Sequence, residues 1–269
     1  MHTLPSNSEL LASLPTDPRL VGKTAIVTGS TSGIGEAIAR VLAASGTHVV
    51  VSGRDAERAQ RVVDAIVHAG GQASAVVADL SGSYDDLRTF AKEATAALGG
   101  RVDILVNNAG VYPVTSTEEL ADTDLEAILG TNVRAPHVLV GMIAPGMAQR
   151  SEGNIVNIGS WMGRIGTASG AMYTASKAAL EQMTRNWAAE YGQRGVRVNT
   201  VAPGATLTPG NAAFSAALDA MTAGTVAGRP VRPIDVAYAV RFLVSDEAAF
   251  VHGSILDVDG GMDSTRLRF

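Results

Sequence analysis

Tyr173 and Lys177 stand four residues apart, a spacing that puts both on one face of a helix. Ser160 precedes the tyrosine by 13 residues, at the end of an apolar run that reads as a strand. A phenol ionises near 10, too high for efficient proton transfer at neutral pH. A neighbouring ammonium favours the phenolate. Lowering the pKa by about three units takes roughly 4 kcal/mol of differential stabilisation, within reach of two close cations in a partly dry site. The trio suits acid–base work on an oxygen. An amphipathic helix with a tyrosine and a lysine at its edge shows the same spacing. This lysine is scarce material, though: the chain has three (Lys23, Lys92, Lys177) against eighteen arginines.

A second group of residues suits a charged ligand. Thr28-Gly29-Ser30-Thr31-Ser32-Gly33-Ile34-Gly35 follows one apolar run and opens a helical stretch. Glycines there permit a tight turn and close backbone approach to a pyrophosphate, whose charge meets the helix N-terminus. A glycine turn with no ligand remains the alternative. An oxidised nicotinamide dinucleotide would bring the second cation that the phenol needs. Similar clusters sit just past other apolar runs: Asp79-Leu80, Asn107-Asn108-Ala109-Gly110, Gly159-Ser160 and Pro203-Gly204. In an open parallel sheet the carboxyl ends of the strands face one crevice, where ligands bind.

The elements that position these groups alternate. Apolar runs at Thr24–Thr28, His48–Ser52, Ala73–Ala78, Asp103–Asn107, Asn154–Gly159, Arg197–Ala202 and Ser254–Val258 are mostly continuous, as in strands covered on both faces. Between them lie helical stretches at Gly35–Ser45, Ala56–Ala69, Tyr84–Leu98, Tyr173–Tyr191 and Ile234–Leu243, with Asp55 placed to cap the second and Gly70-Gly71 to end it. Repeated strand–helix–strand order predicts the α/β class: a parallel sheet with helices on both faces. Residues 1–20, with three prolines, read as a loose extension, and residues 21–269 as one domain.

Composition narrows the chemistry. The 269 residues are 46% hydrophobic and 17% charged, enough for one large core. A net charge of -5 argues against a nucleic-acid partner. With no cysteine, disulfides and thiolate chemistry are excluded, and five scattered histidines (His2, His48, His68, His137, His252) have no metal-ligand spacing, so no metal is expected. No secretory signal is seen and no apolar stretch reads as a bilayer span, so a cytoplasmic protein without a membrane partner is expected.

Thr28–Gly35 (TGxxxGxG), Asn107–Gly110 (NNAG), the isolated Asn132, Ser160, Tyr173–Lys177 (YxxxK), Asn199–Thr208 (NTVAPGATLT) and Asp257–Met262 (DVDGGM) together resemble the short-chain dehydrogenase/reductases of single-domain type. The match runs from about Leu20 to Met262. The resemblance implies a Rossmann-type doubly wound parallel sheet of about seven strands. It also implies Tyr173 as acid/base, Ser160 as hydrogen-bonder to the substrate oxygen and Lys177 as ribose binder and pKa modulator. Asn132 would hold a water that links Lys177 to solvent as a proton relay, with a polar kink in the helix after Leu120 as the alternative. Gly29, Thr31, Ser32, Gly33, Ile34, Gly35, Asp79, Leu80, Asn107, Ala109, Gly110, Pro203, Gly204, Thr206 and Thr208 would line the cofactor with Tyr173 and Lys177. A homotetramer is implied too, with the Ala175, Ala178 and Ala179 face in one interface.

Cofactor choice turns on the second strand end. Gly53 stands where an acidic NAD reader would be, and Arg54 follows, suited with Ser52 to a 2′-phosphate. NADP(H) is expected, with NAD(H) possible if Asp55 does the reading. Ser32, where many NADP-preferring relatives carry a basic residue, speaks against NADP. Tyr112, Trp161, Met162 and Phe214, with Val111, Pro113 and Met172, are candidate substrate contacts, and residues 205–229 correspond to the family's variable lid. They suggest an apolar or aromatic ketone or alcohol. Arg164 could meet an acidic substrate group, a surface position being the alternative. The C-terminal pattern also resembles 3-oxoacyl-[acyl-carrier-protein] reductases. The expected activity is ketone reduction with NADP(H). The alternatives are an NAD-dependent alcohol dehydrogenase of the same family and a non-catalytic NADP(H)-binding sensor or scaffold.

Overall fold

The computed structural model describes residues 7–14 and 18–265. Its centre is a seven-stranded parallel sheet in the order β3-β2-β1-β4-β5-β6-β7. The strands are β1 (Thr24–Val27), β2 (His48–Gly53), β3 (Gln72–Val77), β4 (Ile104–Asn107), β5 (Gly153–Ile158), β6 (Val196–Pro203) and β7 (Ile255–Val258). Each predicted run lies within two residues of an observed strand. The helices are α1 (Asn7–Ala12), α2 (Gly33–Ala44), α3 (Ala56–His68), α4 (Tyr84–Ala97), α5 (Asp122–Ile128), α6 (Ala135–Gln149), α7 (Ala171–Tyr191), α8 (Ser215–Thr222) and α9 (Pro233–Val244).

The continuous apolar runs follow from burial on two faces. Ala25, Val27, Val49, Val51, Ile104 and Val106 pack into one core with α2, α3 and α9. Their neighbours Ile26, Val50 and Leu105 point the other way, into a core with α4, α6 and α7. Side chains alternate across a strand, so a strand covered on both sides needs apolar residues at every position. Asp55 caps α3 by accepting a hydrogen bond from the Arg58 N–H at 3.0 Å, and Gly70, at φ +84°, ends it.

The lead-in is less loose than its composition suggests. Leu11 and Leu20 are buried in the first core, Asn7 accepts from the Ile234 N–H that opens α9, and Arg40 donates to the Leu11 carbonyl. The tail residues Arg266, Arg268 and Phe269 lie outside the described residues. The stretch Asp122–Gln149 is helical throughout and, contrary to expectation, is long and apolar enough to span a bilayer. More than half of its most apolar window is buried in the fold, and the α6 part contributes Leu139, Ile143 and Met147 to the second core. A π-turn (Leu129–Arg134) interrupts it and carries Asn132.

A buried polar chain crosses the middle of the sheet. Asn107 on β4 donates to Asn157 on β5 at 2.8 Å, Asn157 donates to Thr184 on α7 at 2.7 Å, and Thr184 meets Thr200 on β6 at 2.8 Å. All four side chains are buried. Asn157→Ala removes the central link and leaves the buried Asn107 amide without a partner, while Thr184 keeps Thr200 and the Leu180 carbonyl. It is expected to cost about 3 kcal/mol and lower Tm by about 6–10 °C, read by thermal and urea unfolding. A loss under about 1 kcal/mol would mean that the chain is not a stabilising element.

Candidate active site

The strand order reverses between β1 and β4, because β2 and β5 leave their neighbours in opposite directions. A cleft of about 510 Å³ opens there at the carboxyl ends of the strands. Two polar side chains shape it. Thr28 Oγ1 donates to the Val106 carbonyl and accepts from the Asn108 and Ala109 N–H groups, while Asn108 Nδ2 donates to the carbonyls of Thr28 and Gly29. The glycine turn is packed beneath this lock. A Cβ on Gly29, which sits at φ +62°, would lie 2.8 Å from Ala109 Cα, and one on Gly35 would lie 2.3 Å from the Gly29 carbonyl.

This cradle fits a dinucleotide. Ser32 begins α2 without a side-chain cap, so the first-turn N–H groups of a twelve-residue helix are not satisfied by it. Ser52, at the floor of the cleft, has a buried hydroxyl with no partner. Arg54 lines the cleft and makes no hydrogen bond or ion pair with any described residue. Nearby, Asp79 accepts from the Ser81 N–H and hydroxyl, which hold its carboxyl below the usual range, with Arg54 adding to the effect.

At the other end of the cleft the α7 groups meet the end of β5. Tyr173, Lys177 and Ser160 all line the cleft. The Lys177 ammonium is buried, donates to the Ile158 carbonyl at 2.8 Å and lies 5.9 Å from the Tyr173 ring centre. Burial pushes Lys177 down to about 8, partly opposed by Glu181. Burial pushes the Tyr173 phenol up, the Ser160 hydroxyl bonded to it pulls it down, and Tyr112 adds to the rise. The depressed phenol expected from sequence is therefore not a property of these residues alone. It requires the further positive charge that an oxidised nicotinamide brings.

All the predicted cofactor-lining residues line the cleft except Asn107, whose side-chain amide is turned into the sheet toward Asn157. Asn132 does not reach the cleft surface either. Its carboxamide accepts from the Val111 N–H and donates to the Val111 carbonyl and to Ser176, clamping the loop after β4 onto α7. The side-chain atoms are thus engaged by protein. Tyr112 lines the cleft, whereas Trp161, Met162 and Phe214 do not. Ser160 caps a tight turn over Trp161–Arg164 that carries the first two onto α7, and Phe214 is largely exposed. Met172 faces a separate small apolar pocket behind Tyr173. Arg164 is not free for a substrate acid, since Asp257, Asp263 and Glu181 surround it. Sequence reasoning passed over the lock role of Thr28 and Asn108, and Arg58, Ser81 and Asn211 in the cleft wall. Thr28, Asn108 and Ser81 were signalled only by lying near strand ends, and Arg58 and Asn211 had no local signal.

The buried ammonium has a stability consequence. Lys177 titrates near 8 in the fold against an ordinary 10.5, so between these values the unfolded chain holds a proton that the folded one has lost, and stability rises with pH. Below 8 the penalty is complete, on the order of 3 kcal/mol. Lys177→Met escapes it and gives up a hydrogen bond worth about 1 kcal/mol. The variant is expected to be more stable than wild type by about 2 kcal/mol at pH 7, with the margin vanishing by about pH 10, in denaturant unfolding across pH. A wild type at least as stable at pH 7 would contradict this.

Known proteins share this arrangement. The family model for short chain dehydrogenases matches residues 23–219. A 3-oxoacyl-[acyl-carrier-protein] reductase of Vibrio cholerae is 36% identical over 244 residues, 90% of this chain and 98% of that protein. A 3beta-hydroxysteroid dehydrogenase of Eggerthella lenta is 39% identical over 250 residues, 90% of this chain and 94% of that protein. A crystal structure of a short chain dehydrogenase from Burkholderia cenocepacia in complex with NADP is 38% identical, with TM-score 0.83, and covers 91% of this chain and all of that one. The sheet order, the nucleotide cradle and these relatives agree: the chain belongs to the short chain dehydrogenase family, enzymes that act on CH–OH and C=O groups with a nicotinamide cofactor.

Proposed function

We propose that the protein is an NADP(H)-dependent ketone reductase, reversible toward the secondary alcohol, with Tyr173 as its proton carrier. The observation that carries this reading is that Tyr173, Ser160 and Lys177 share one cleft with the uncapped N-terminus of α2. A bound nicotinamide supplies or accepts the hydride. The Ser160 and Tyr173 hydroxyls face the substrate oxygen, where they polarise a carbonyl and stabilise charge developing on it. The proton moves between the Tyr173 Oη and that oxygen, in the direction the reaction runs. Lys177 keeps a positive charge beside the phenol and faces the ribose side. Asn132 sets the spacing between the substrate loop and α7 through Val111 and Ser176.

The preference for NADP(H) rests on the β2 end. Arg54 is unpaired and open to a phosphate. Asp55, the competing reader, is engaged as the α3 cap and lies 3.3 Å from Arg58 Nε. An acidic side chain at position 53 would place its Cβ 2.6 Å from the Thr31 methyl, so this β2 end is shaped without one. An apolar ketone suits the substrate side: Tyr112 lines the cleft, Val114, Leu207, Phe214 and Met221 expose apolar surface on the segments after β4 and β6, and residues 205–229 serve as the lid. Asn211 organises the lid's base by bonding the Thr208 N–H and the Thr206 carbonyl. We place the enzyme in the cytoplasm as a homotetramer, a reading supported by the partly exposed Ala175, Ala178 and Ala179 face of α7.

Steady-state assays over a panel of apolar and aromatic ketones with NADPH, and of alcohols with NADP, test the reading. Tyr173→Phe is expected to bind NADPH normally and lose at least about a thousandfold in kcat. Near-normal turnover in that variant sinks the assignment, and tight NADPH binding with no turnover on any carbonyl would make the protein a sensor. Arg54→Ala is expected to raise KM for NADPH about tenfold or more while leaving NADH kinetics within about twofold, because one charge-assisted phosphate contact is lost. A wild-type preference for NADH would overturn the cofactor assignment.

A further inference from the structure

The proposed reaction leaves one buried charge without a task. Glu181 is 2% exposed and its Oε1 has no hydrogen-bond partner. It lies on α7 one turn beyond Lys177, so Tyr173, Lys177 and Glu181 form one row along a helix face. That row runs against three consecutive residues at the end of β5. Tyr173 meets the Ser160 hydroxyl, Lys177 binds the Ile158 carbonyl, and Glu181 abuts Gly159, where a Cβ would come 3.3 Å from Oε1. A Cβ on Gly163 would lie 3.4 Å from the same oxygen, so two glycines leave the notch that the carboxylate fills.

An isolated buried carboxylate is costly, and such groups persist where something balances them. Arg164 Nε stands 3.7 Å from Oε1, and Arg164 is itself held by Asp257 at the β7 edge and by Asp263, 3.5 Å away. The charged groups around the carboxylate are thus Lys177 and Arg185 on α7, Arg164 on the turn after Ser160, and Asp257 and Asp263 from the C-terminal segment. Facing the ammonium are the Tyr173 ring and Glu181.

We propose that Glu181 is a positioning residue: a fixed buried negative charge that keeps Lys177 an ammonium on the Ile158 carbonyl, with Arg164 anchoring the carboxylate to the C-terminal segment. The proposal rests on the reading of Lys177 as part of the active site. Gly159 and Gly163 leave room for the carboxylate, although a Cβ at Gly159 would first strike the Thr200 methyl at 2.7 Å and one at Gly163 the main chain of α7 at 3.2 Å. Burial alone works to discharge the lysine near neutral pH, and Glu181 is the charge that opposes it. Burial pushes the Glu181 carboxyl up, with Asp257 and Asp263 adding to the rise, and Arg164 and Arg185 oppose it.

The three lysines of the chain make a direct test practical, because lysine labelled with carbon-13 at Cε gives three resolvable signals in the protein without cofactor. Lys23, paired with Glu152, and Lys92 on α4 serve as internal references. The wild-type Lys177 signal is expected to titrate near 8. In Glu181→Gln the midpoint is expected to fall by about one pH unit, and in Glu181→Asp to keep most of its wild-type value. Glu181→Met, an apolar replacement of similar volume, is expected to fold even if the Gln variant does not, and to show the same fall. A Lys177 midpoint within about 0.2 of wild type in a folded Gln or Met variant overturns the proposal. In ketone assays the alkaline limb of kcat/KM is expected to move down in parallel. A fall in midpoint in a protein that reduces no ketone would fail the functional reading alone, since the titration needs no turnover.

Discussion

The site depends first on the lock between Thr28 and Asn108. These two side chains bond five main-chain groups at the ends of β1 and β4, the two strands between which the sheet order reverses. Strand ends at a reversal would otherwise leave unpaired N–H and C=O groups facing a cavity, which is costly and poorly ordered. Once these are tied, the glycine turn has one available path. Gly35 sits where a Cβ would strike both the Gly29 carbonyl and Asn108 Nδ2. The cradle's shape is therefore a backbone property, maintained by hydrogen bonds that a ligand does not have to break.

The reactive end is held differently, by charge burial. A single face of α7 brings a phenol, an ammonium and a carboxylate against the end of β5. Each is uncomfortable there. Burial raises the phenol and the carboxyl and lowers the ammonium, which moves all three toward neutrality. Burial brings the ammonium closer to neutral pH but takes the phenol further from it, so the phenol needs added positive charge before it can carry protons there. The fold tolerates it because β5 is flanked on both sides by strands and because Asn157, Thr184 and Thr200 join α7, β5 and β6 beneath the site.

Much of this was legible in the sequence, for identifiable reasons. Continuous apolar runs gave strands within two residues because both faces are covered, and Asp55 and Gly70 marked α3 because capping is local. The Tyr173/Lys177 pair was legible because helical spacing fixes which residues share a face. Side-chain direction at the strand ends was not. Asn107 and Asn108 are adjacent and identical, yet one turns into the sheet and the other onto the glycine turn. Trp161 and Met162 follow Ser160 directly, but a tight turn carries them away from the cleft. Arg164 and Glu181 are 17 positions apart, and no local pattern says that Asp257 and Asp263 complete their cluster.

The two halves of the cleft also differ in how their chemistry can change. The cofactor half is made of strand ends and one helix N-terminus, where a Cβ on Gly29, Gly35 or Gly204 would meet main chain at 2.8, 2.3 and 2.7 Å. The other half is bounded by the segments after β4 and β6, where Tyr112 lines the cleft and the exposed Val114, Leu207 and Phe214 lie outside its wall. Replacing one of those side chains leaves no buried polar group unpaired and no core void. A cavity-type penalty arises only where a side chain is packed on all sides. Substrate range can therefore drift while the proton-transfer apparatus stays fixed, which fits relatives of similar identity whose names point to an acyl-carrier-protein substrate and to a steroid. The Asn132 clamp joins the two halves: by gripping Val111 at both its N–H and its carbonyl, and Ser176 on α7, it fixes where the loop after β4 begins relative to Tyr173.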